Sequence, residues 1–162
     1  MRNTLKLMVC VSASLAAVPA QAASCWSTQA VEAAQVRDFE MMLMVSALRC
    51  RNTNANFLDE YNGFVRAKRV ALTQVNDDLR SQFEKTLGAK AALNAYDRYA
   101  TQLANSYGAG AEGLDCSDMQ SLVQAANGAQ SSRAALVTLA QRAGANPRLP
   151  GDKCPTTYAA AK

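Results

Sequence analysis

The chain has 162 residues, no histidine, and 17 basic against 13 acidic residues. The absence of histidine excludes Ser-His and Cys-His nucleophilic catalysis, His-ligated zinc or copper, and haem attachment through a C-x-x-C-H motif. Two basic residues, Arg2 and Lys6, lie in the N-terminal leader described next, and removing them leaves 15 basic residues against 13 acidic ones. That near balance is unlike the strongly basic character of nucleic-acid-binding proteins, so no nucleic-acid partner is expected.

Residues 1–22 have the pattern of a secretory signal peptide. Arg2 and Lys6 precede an apolar stretch over residues 7–18, and Ala20 and Ala22 are the small residues that signal peptidase reads. The apolar stretch is shorter than the roughly 20 residues that span a bilayer, so we expect cleavage after Ala22 and no membrane span thereafter. The mature protein is then periplasmic or secreted.

The mature chain has the length of one domain. Apolar residues recur at helical spacing and strand alternation is not sustained, so the predicted fold is all-α. The spacing predicts four helices, at about Thr28 to Arg49, Asn56 to Leu87, Ala89 to Tyr107, and Ser117 to Gly144. These form a helical bundle domain over residues 23–144, and an irregular tail carrying Cys154 follows over residues 145–162.

Local signals refine these helices. The first is apolar around so much of its circumference that it should be largely enclosed, with Ser27 or Thr28 as its N-cap. Gly88 and Gly108 are expected to end the second and third helices in the left-handed conformation. The stripe that the third helix is expected to bury consists of Leu93, Tyr96, Ala100 and Leu103.

The fourth helix and the loop before it carry their own signals. Residues 108–113 are glycine-rich and predict a loop. Ser117 and Gln120 have the spacing of a capping box, which predicts the start of the fourth helix. A kink or break is expected at Asn127-Gly128, because glycine disfavours helix.

The cysteines predict how the helices are arranged. Loss of Cys10 with the leader leaves four, at widely spaced positions without a C-x-x-C pair, which favours disulfides over zinc in an oxidising compartment. Long helices joined by short links favour an up-down-up-down four-helix bundle, in which the first helix holds Cys25 and Cys50 over about 30 Å apart. Only Cys50 with Cys116 and Cys25 with Cys154 then lie close enough to bond. Lipidation of Cys25 is disfavoured, since no large aliphatic residue stands three places before it.

Three acids with apolar neighbours are weak catalytic candidates: Asp38, Glu40 and Asp97. Two such carboxyls facing each other could act as an acid and a base. Structural ion pairs are the more common outcome, and the available partners are Arg37, Arg49 and Arg98.

Methionines of the first predicted helix and tyrosines of the third are further candidates for a binding site. Met41, Met42 and Met44 could be soft metal ligands, but they cannot all face one metal, so we expect core packing and no metal or cofactor. On the third predicted helix, Tyr96 is expected in the core, whereas Tyr99 and Tyr107 could line a cleft.

Basic residues form a candidate anion patch towards one end of the bundle, where the second helix begins: Arg49, Arg51, Arg66, Lys68 and Arg69. Such a patch would attract a head group, a cell-wall polymer or an acidic protein. Asp59, Asp77 and Asp78 lie on the same predicted helix and offset this charge, which favours an ordinary solvated face.

Several segments resemble a family of small exported bacterial helical proteins of unassigned function. They are Cys25-Trp26 and residues 36–51, 61–69 and 96–108. Some members carry an adenosylhomocysteine hydrolase label, which these residues do not support because the chain lacks a strand-GxGxxG-helix unit and room for two domains.

The sequence therefore favours a non-catalytic exported protein that binds a protein or another component of the cell envelope. A carboxylate-based envelope hydrolase is one alternative, and two acids within about 5 to 10 Å in one cleft would favour it. A carrier of a small apolar ligand is the other, and a dry cavity would indicate it.

Overall fold

The computed structural model describes residues 25–155, and this part of the chain is all-helical. The predicted signal peptide, residues 1–22, and the end of the predicted tail, residues 156–162, lie outside the described residues. Six helices follow one another within the described part: α1 (Thr28–Cys50), α2 (Leu58–Ala67), α3 (Arg69–Leu87), α4 (Ala89–Ser106), α5 (Cys116–Gly128) and α6 (Arg133–Arg142).

Helix α1 is the centre of the domain, as its apolar circumference predicts. Ser27 is its N-cap, and the Ser27 side chain accepts a hydrogen bond from the backbone N–H of Ala30 at 3.2 Å. The helix packs against each of the other five, and 13 of its 23 residues are buried. Met41 and Met42 are among them, so these two methionines pack in the core.

The prediction of a single second helix is wrong. The chain departs from helical geometry at Lys68 and forms two helices there, α2 and α3. No proline or glycine at this position signals the break. The Lys68 side chain is buried and donates hydrogen bonds to the backbone carbonyls of Asn127 and Ala129 at the end of α5. A tertiary contact therefore accompanies the bend, and helical periodicity does not encode it.

The fourth predicted helix is also divided, at the place where a kink or break was expected: α5 ends at Gly128 and α6 begins at Arg133. Its predicted N-cap was wrong by two residues, because the capping box uses Asp115 and Asp118 in place of Ser117 and Gln120. The Asp115 carboxylate accepts from the backbone N–H groups of Ser117 and Asp118, at 2.8 and 2.9 Å. A carboxylate at this position also interacts favourably with the helix dipole.

Helix α4 differs from its prediction in which face it buries. Leu93 is 56% exposed, contrary to expectation, because the buried face is rotated to present Ala92, Ala95, Tyr96, Tyr99 and Leu103. The ring of Tyr99 packs against Trp26 and Phe83, at centroid distances of 5.9 and 5.6 Å. Gly88 has a positive φ as predicted, but Gly108 does not; the positive φ values in the following loop belong to Gly110 and Gly113.

Both predicted cysteine pairs are bonded, which confirms the pairing. Cys50 and Cys116 have α-carbons 5.8 Å apart, and those of Cys25 and Cys154 are 4.9 Å apart. The Cys25 sulfur is thus a disulfide atom in this structure. Next to it, Trp26 forms an isolated parallel bridge with Lys153, which ties the segment after α6 to the start of α1.

Candidate functional site

A cleft of about 740 Å³ opens beside α1, and it is larger than two other depressions of about 300 and 240 Å³. We call it the Asp38 cleft. Its lining comes from α1, from the second half of α4, from the loop after α4 and from the segment that follows α6. The side chains used below are Asp38, Tyr99, Tyr107, Glu112, Asn146 and Arg148.

Asp38 is the buried acid of the cleft, with 3% of its surface exposed. None of the ion pairs among residues 25–155 involves it. The Tyr107 hydroxyl and the backbone N–H of Asn146 donate hydrogen bonds to its carboxylate. Burial raises the pKa of Asp38 above 3.8, although these two hydrogen bonds act in the opposite direction. Within the described part of the chain, the buried carboxylate therefore has neutral donors and no ion-pair partner.

The end of α6 explains how Asn146 reaches this carboxylate. Gly144 has a φ of 74°, its N–H donates to the Gln141 carbonyl, and the N–H of Ala145 donates to the Ala140 carbonyl. These two bonds form a Schellman motif, which needs a left-handed residue at the glycine position. The turn buries Ala145 and leads the chain towards α1, where Asn146 follows at once.

Tyr99 supplies a second unusual group. Its side chain is 4% exposed, and its buried hydroxyl has no hydrogen-bond partner among the described residues. Leaving a buried hydroxyl unpaired costs about 1 to 3 kcal/mol, so native proteins contain few such groups. Burial and the nearby Asp38 charge both raise the pKa of Tyr99. The packed ring holds this hydroxyl in the same cleft as the carboxylate.

The loop after α4 forms another side of the cleft and is held by Arg49. The Arg49 guanidinium donates to the Gly108 carbonyl, and its atoms lie 3.8 Å from the position that a β-carbon on Gly110 would occupy. Gly110 has a φ of 110°, a conformation that favours glycine. This anchoring holds Glu112 at the rim of the cleft.

The rim carries charges of both signs. Glu112 from the loop and Arg148 from the segment after α6 are both exposed. Neither takes part in an ion pair among residues 25–155. Both charges are thus free to contact a molecule that enters the cleft.

The other two acidic candidates lie elsewhere. Glu40 is buried and pairs with Arg37, with Nη1 and Oε2 2.6 Å apart, so the ion pair expected for it is present. Burial and the Glu40 charge raise the pKa of the neighbouring Tyr61 to about 12. Asp97 is exposed on α4 and does not line the cleft. The structure therefore does not bring the three candidate acids together.

The candidate anion patch loses two of its members to structural roles. Lys68 is 3% exposed and bound to backbone carbonyls, so its charge is not presented to a ligand. Arg49 is engaged with the loop after α4. Arg51, Arg66 and Arg69 are exposed.

Sequence reasoning placed Tyr99 and Tyr107 at a cleft, and they line one. It missed Asn146 and Arg148, which stand in a segment without helical periodicity. It also missed Glu112 because the surrounding glycines indicate only a loop. The signal that could have pointed to Glu112 is that it is an acid within a glycine-rich loop. That signal does not show which part of α1 the loop covers.

Within residues 25–155, no cluster of three or more cysteine, aspartate or glutamate side chains is arranged to hold a metal ion. Among the same residues, no helix combines the length and the apolar character that crossing a membrane requires. Comparisons with protein-family models, curated proteins and solved structures find no match to this chain.

Proposed function

We propose that this chain is a non-catalytic binding protein of the cell envelope and that the Asp38 cleft is its binding site. The observation that carries the proposal is that one cleft is lined by a buried carboxylate and a buried tyrosine hydroxyl. Among residues 25–155, the carboxylate has no ion-pair partner and the hydroxyl has no hydrogen-bond partner. A bound polar molecule would satisfy both groups. Binding pockets typically combine apolar walls with a few convergent polar groups of this kind.

Export is part of the proposal. The two disulfides support it, since such bonds persist mainly in oxidising compartments, and the leader over residues 1–22 is of the type that directs secretion. Membership of the small exported bacterial proteins that the chain resembles is included in the same proposal.

An up-down-up-down path is the arrangement we propose for the helices, with α2 and α3 forming one leg and α5 and α6 another. Its support is the disulfide pairing. Such a path brings Cys50 and Cys116 to one end of the domain and Cys25 and Cys154 to the other.

A carboxylate-based hydrolase is the second candidate function, and one observation favours it: Asp38 and Glu112 line the same cleft. A buried acid with a raised pKa and a solvated acid can serve as the acid and the base of general acid–base catalysis. In this case purified protein would turn over an envelope substrate and lose that activity on Asp38→Asn and on Glu112→Gln. Asp97→Asn, outside the cleft, would retain it.

An apolar ligand is a poorer match to the cleft. Three charged side chains line it, Asp38, Glu112 and Arg148, and an apolar ligand would leave the charge of the buried carboxylate uncompensated. A polar ligand is therefore proposed in preference to an apolar one.

The test blocks the cleft and keeps the rest of the surface intact. Gln102 is exposed on α4 and lines the cleft, whereas Gln124 is exposed on α5 and does not. The full chain and the variants Gln102→Trp and Gln124→Trp would be isolated from a native periplasm, and the small molecules that accompany them identified by mass spectrometry. We expect the same polar compound with the wild type and with Gln124→Trp, and its loss with Gln102→Trp. Equal retention by both variants, or no accompanying molecule, would contradict the proposal.

A further inference from the structure

We infer that the Asp38 cleft recognises its ligand by a primary ammonium group, which binds between the Asp38 carboxylate and the Tyr99 hydroxyl. The inference rests on the proposed function, because it assigns the ligand chemistry of that same site. Two observations carry it: the Asp38 carboxylate is buried, and the buried Tyr99 hydroxyl has no hydrogen-bond partner among the described residues.

The charge of Asp38 decides among ligand classes. Its carboxylate is buried with two neutral donors, the Tyr107 hydroxyl and the Asn146 N–H, and takes part in none of the ion pairs of residues 25–155. A buried charge is costly unless an opposite charge compensates it. An ammonium group supplies that charge. A ligand hydroxyl would form a hydrogen bond and leave the charge in place, and a ligand carboxylate would be repelled.

The Tyr99 hydroxyl can accept a hydrogen bond from the same ammonium group. An ammonium has three N–H donors and no acceptor, so it needs several oxygen acceptors around it. The Asp38 carboxylate provides acceptor oxygens, and the unpartnered Tyr99 oxygen provides another. Both groups line the same cleft, and the charge of Asp38 raises the pKa of the Tyr99 hydroxyl. Because the Tyr99 ring is packed against Trp26 and Phe83, this acceptor is fixed in place before a ligand arrives.

The remaining charges of the cleft agree with a cationic ligand. Glu112 and Arg148, the other charged residues of the lining, both stand on the exposed rim and have opposite signs. Water and salt screen a rim charge far more than a buried one. The potential in the interior of the cleft is therefore set mainly by Asp38, and it attracts cations.

The test uses three probes that differ in one terminal group: 4-amino-1-butanol, 1,4-butanediol and 4-hydroxybutanoate. Each is titrated by calorimetry into the disulfide-bonded full chain, up to about 10 mM because ligands this small bind weakly. We expect the amine to bind at least about tenfold more tightly than the diol, and the carboxylate not to bind. Equal binding of the diol, or preference for the carboxylate, would overturn the ammonium assignment and leave the cleft as a binding site.

Matched variants show whether the amine binds at Asp38. Asp38→Asn should weaken amine binding at least about tenfold, whereas Asp97→Asn, an identical change outside the cleft, should leave it unchanged. If Asp38→Asn does not fold, Glu112→Gln at the exposed rim serves in its place and should weaken amine binding about two- to fivefold. Unchanged affinity in a folded Asp38→Asn protein would overturn the inference. If no probe binds and Gln102→Trp also leaves the native ligand in place, the proposed function fails together with it.

Discussion

The two faces of α1 carry two buried acids, Asp38 and Glu40, only two residues apart, and they differ in what surrounds them. Glu40 has its cation on the same helix, because Arg37 lies one turn earlier. Asp38 lines a cleft, and its partners among the described residues are neutral donors. Burial alone therefore does not distinguish a structural acid from a functional one. The presence or absence of a compensating charge does.

The partners of these acids also come from different distances along the chain. The Arg37–Glu40 pair is local and needs only a helix. The surroundings of Asp38 require α4, the loop after it and the segment after α6, which the Cys25–Cys154 disulfide ties to the start of α1. Perturbations of long-range structure should thus affect the Asp38 side first.

The largest expected effect comes from removing that disulfide with Cys25→Ser and Cys154→Ser together. The free energy of unfolding should fall by about 4 kcal/mol, since the bond closes a long loop. Hydrogen exchange should show that amides of residues 144–155 lose protection while those of α1 near Glu40 keep it. If both regions lost protection equally, the contrast between the two faces would not hold.

The next effect in size is on the Glu40 side. Glu40→Gln removes the carboxylate that pairs with the largely buried Arg37 guanidinium. The Nε atom of Arg37 already has no hydrogen-bond partner among the described residues. We expect a loss of about 3 kcal/mol in chemical denaturation, because an unpaired buried charge remains. Glu84→Gln, at an exposed position of α3, is the matched control and should change stability by less than about 0.5 kcal/mol. A wild-type unfolding free energy for Glu40→Gln would show that the pair is not structural.

The smallest effect is expected for Asp38→Asn, and its sign depends on pH. The pKa of Asp38 is raised in the folded protein, so this group stabilises the fold fully below its unfolded pKa of about 3.8, and that stabilisation is lost as pH rises through the folded pKa. At neutral pH the variant should therefore be as stable as the wild type or slightly more stable. The wild type should gain on the variant as pH falls. A stability difference that stays constant from pH 7 to pH 4 would contradict this assignment.

Helical periodicity identified much of the fold. The apolar circumference of α1 predicted that this helix is buried at the centre of the domain. The positions of the cysteines, together with the expected up-down-up-down arrangement of helices, predicted both disulfides. The same periodicity led to an error at Lys68, where the break coincides with contacts to carbonyls about 60 residues away. It also misplaced Leu93, because the packing of Tyr99 against Trp26 and Phe83 sets the rotation of α4.

What the sequence by itself determined is which residues form helices, which faces are apolar, and which chemistries the absence of histidine excludes. Only the tertiary structure decided that Asp38 and Glu40 have different surroundings. The reason is physical: local spacing fixes the direction of a side chain on its own helix, whereas the group that meets it depends on distant segments closing over that helix. At Asp38 those segments are a glycine-rich loop and a turn after α6, whose paths helical periodicity does not describe.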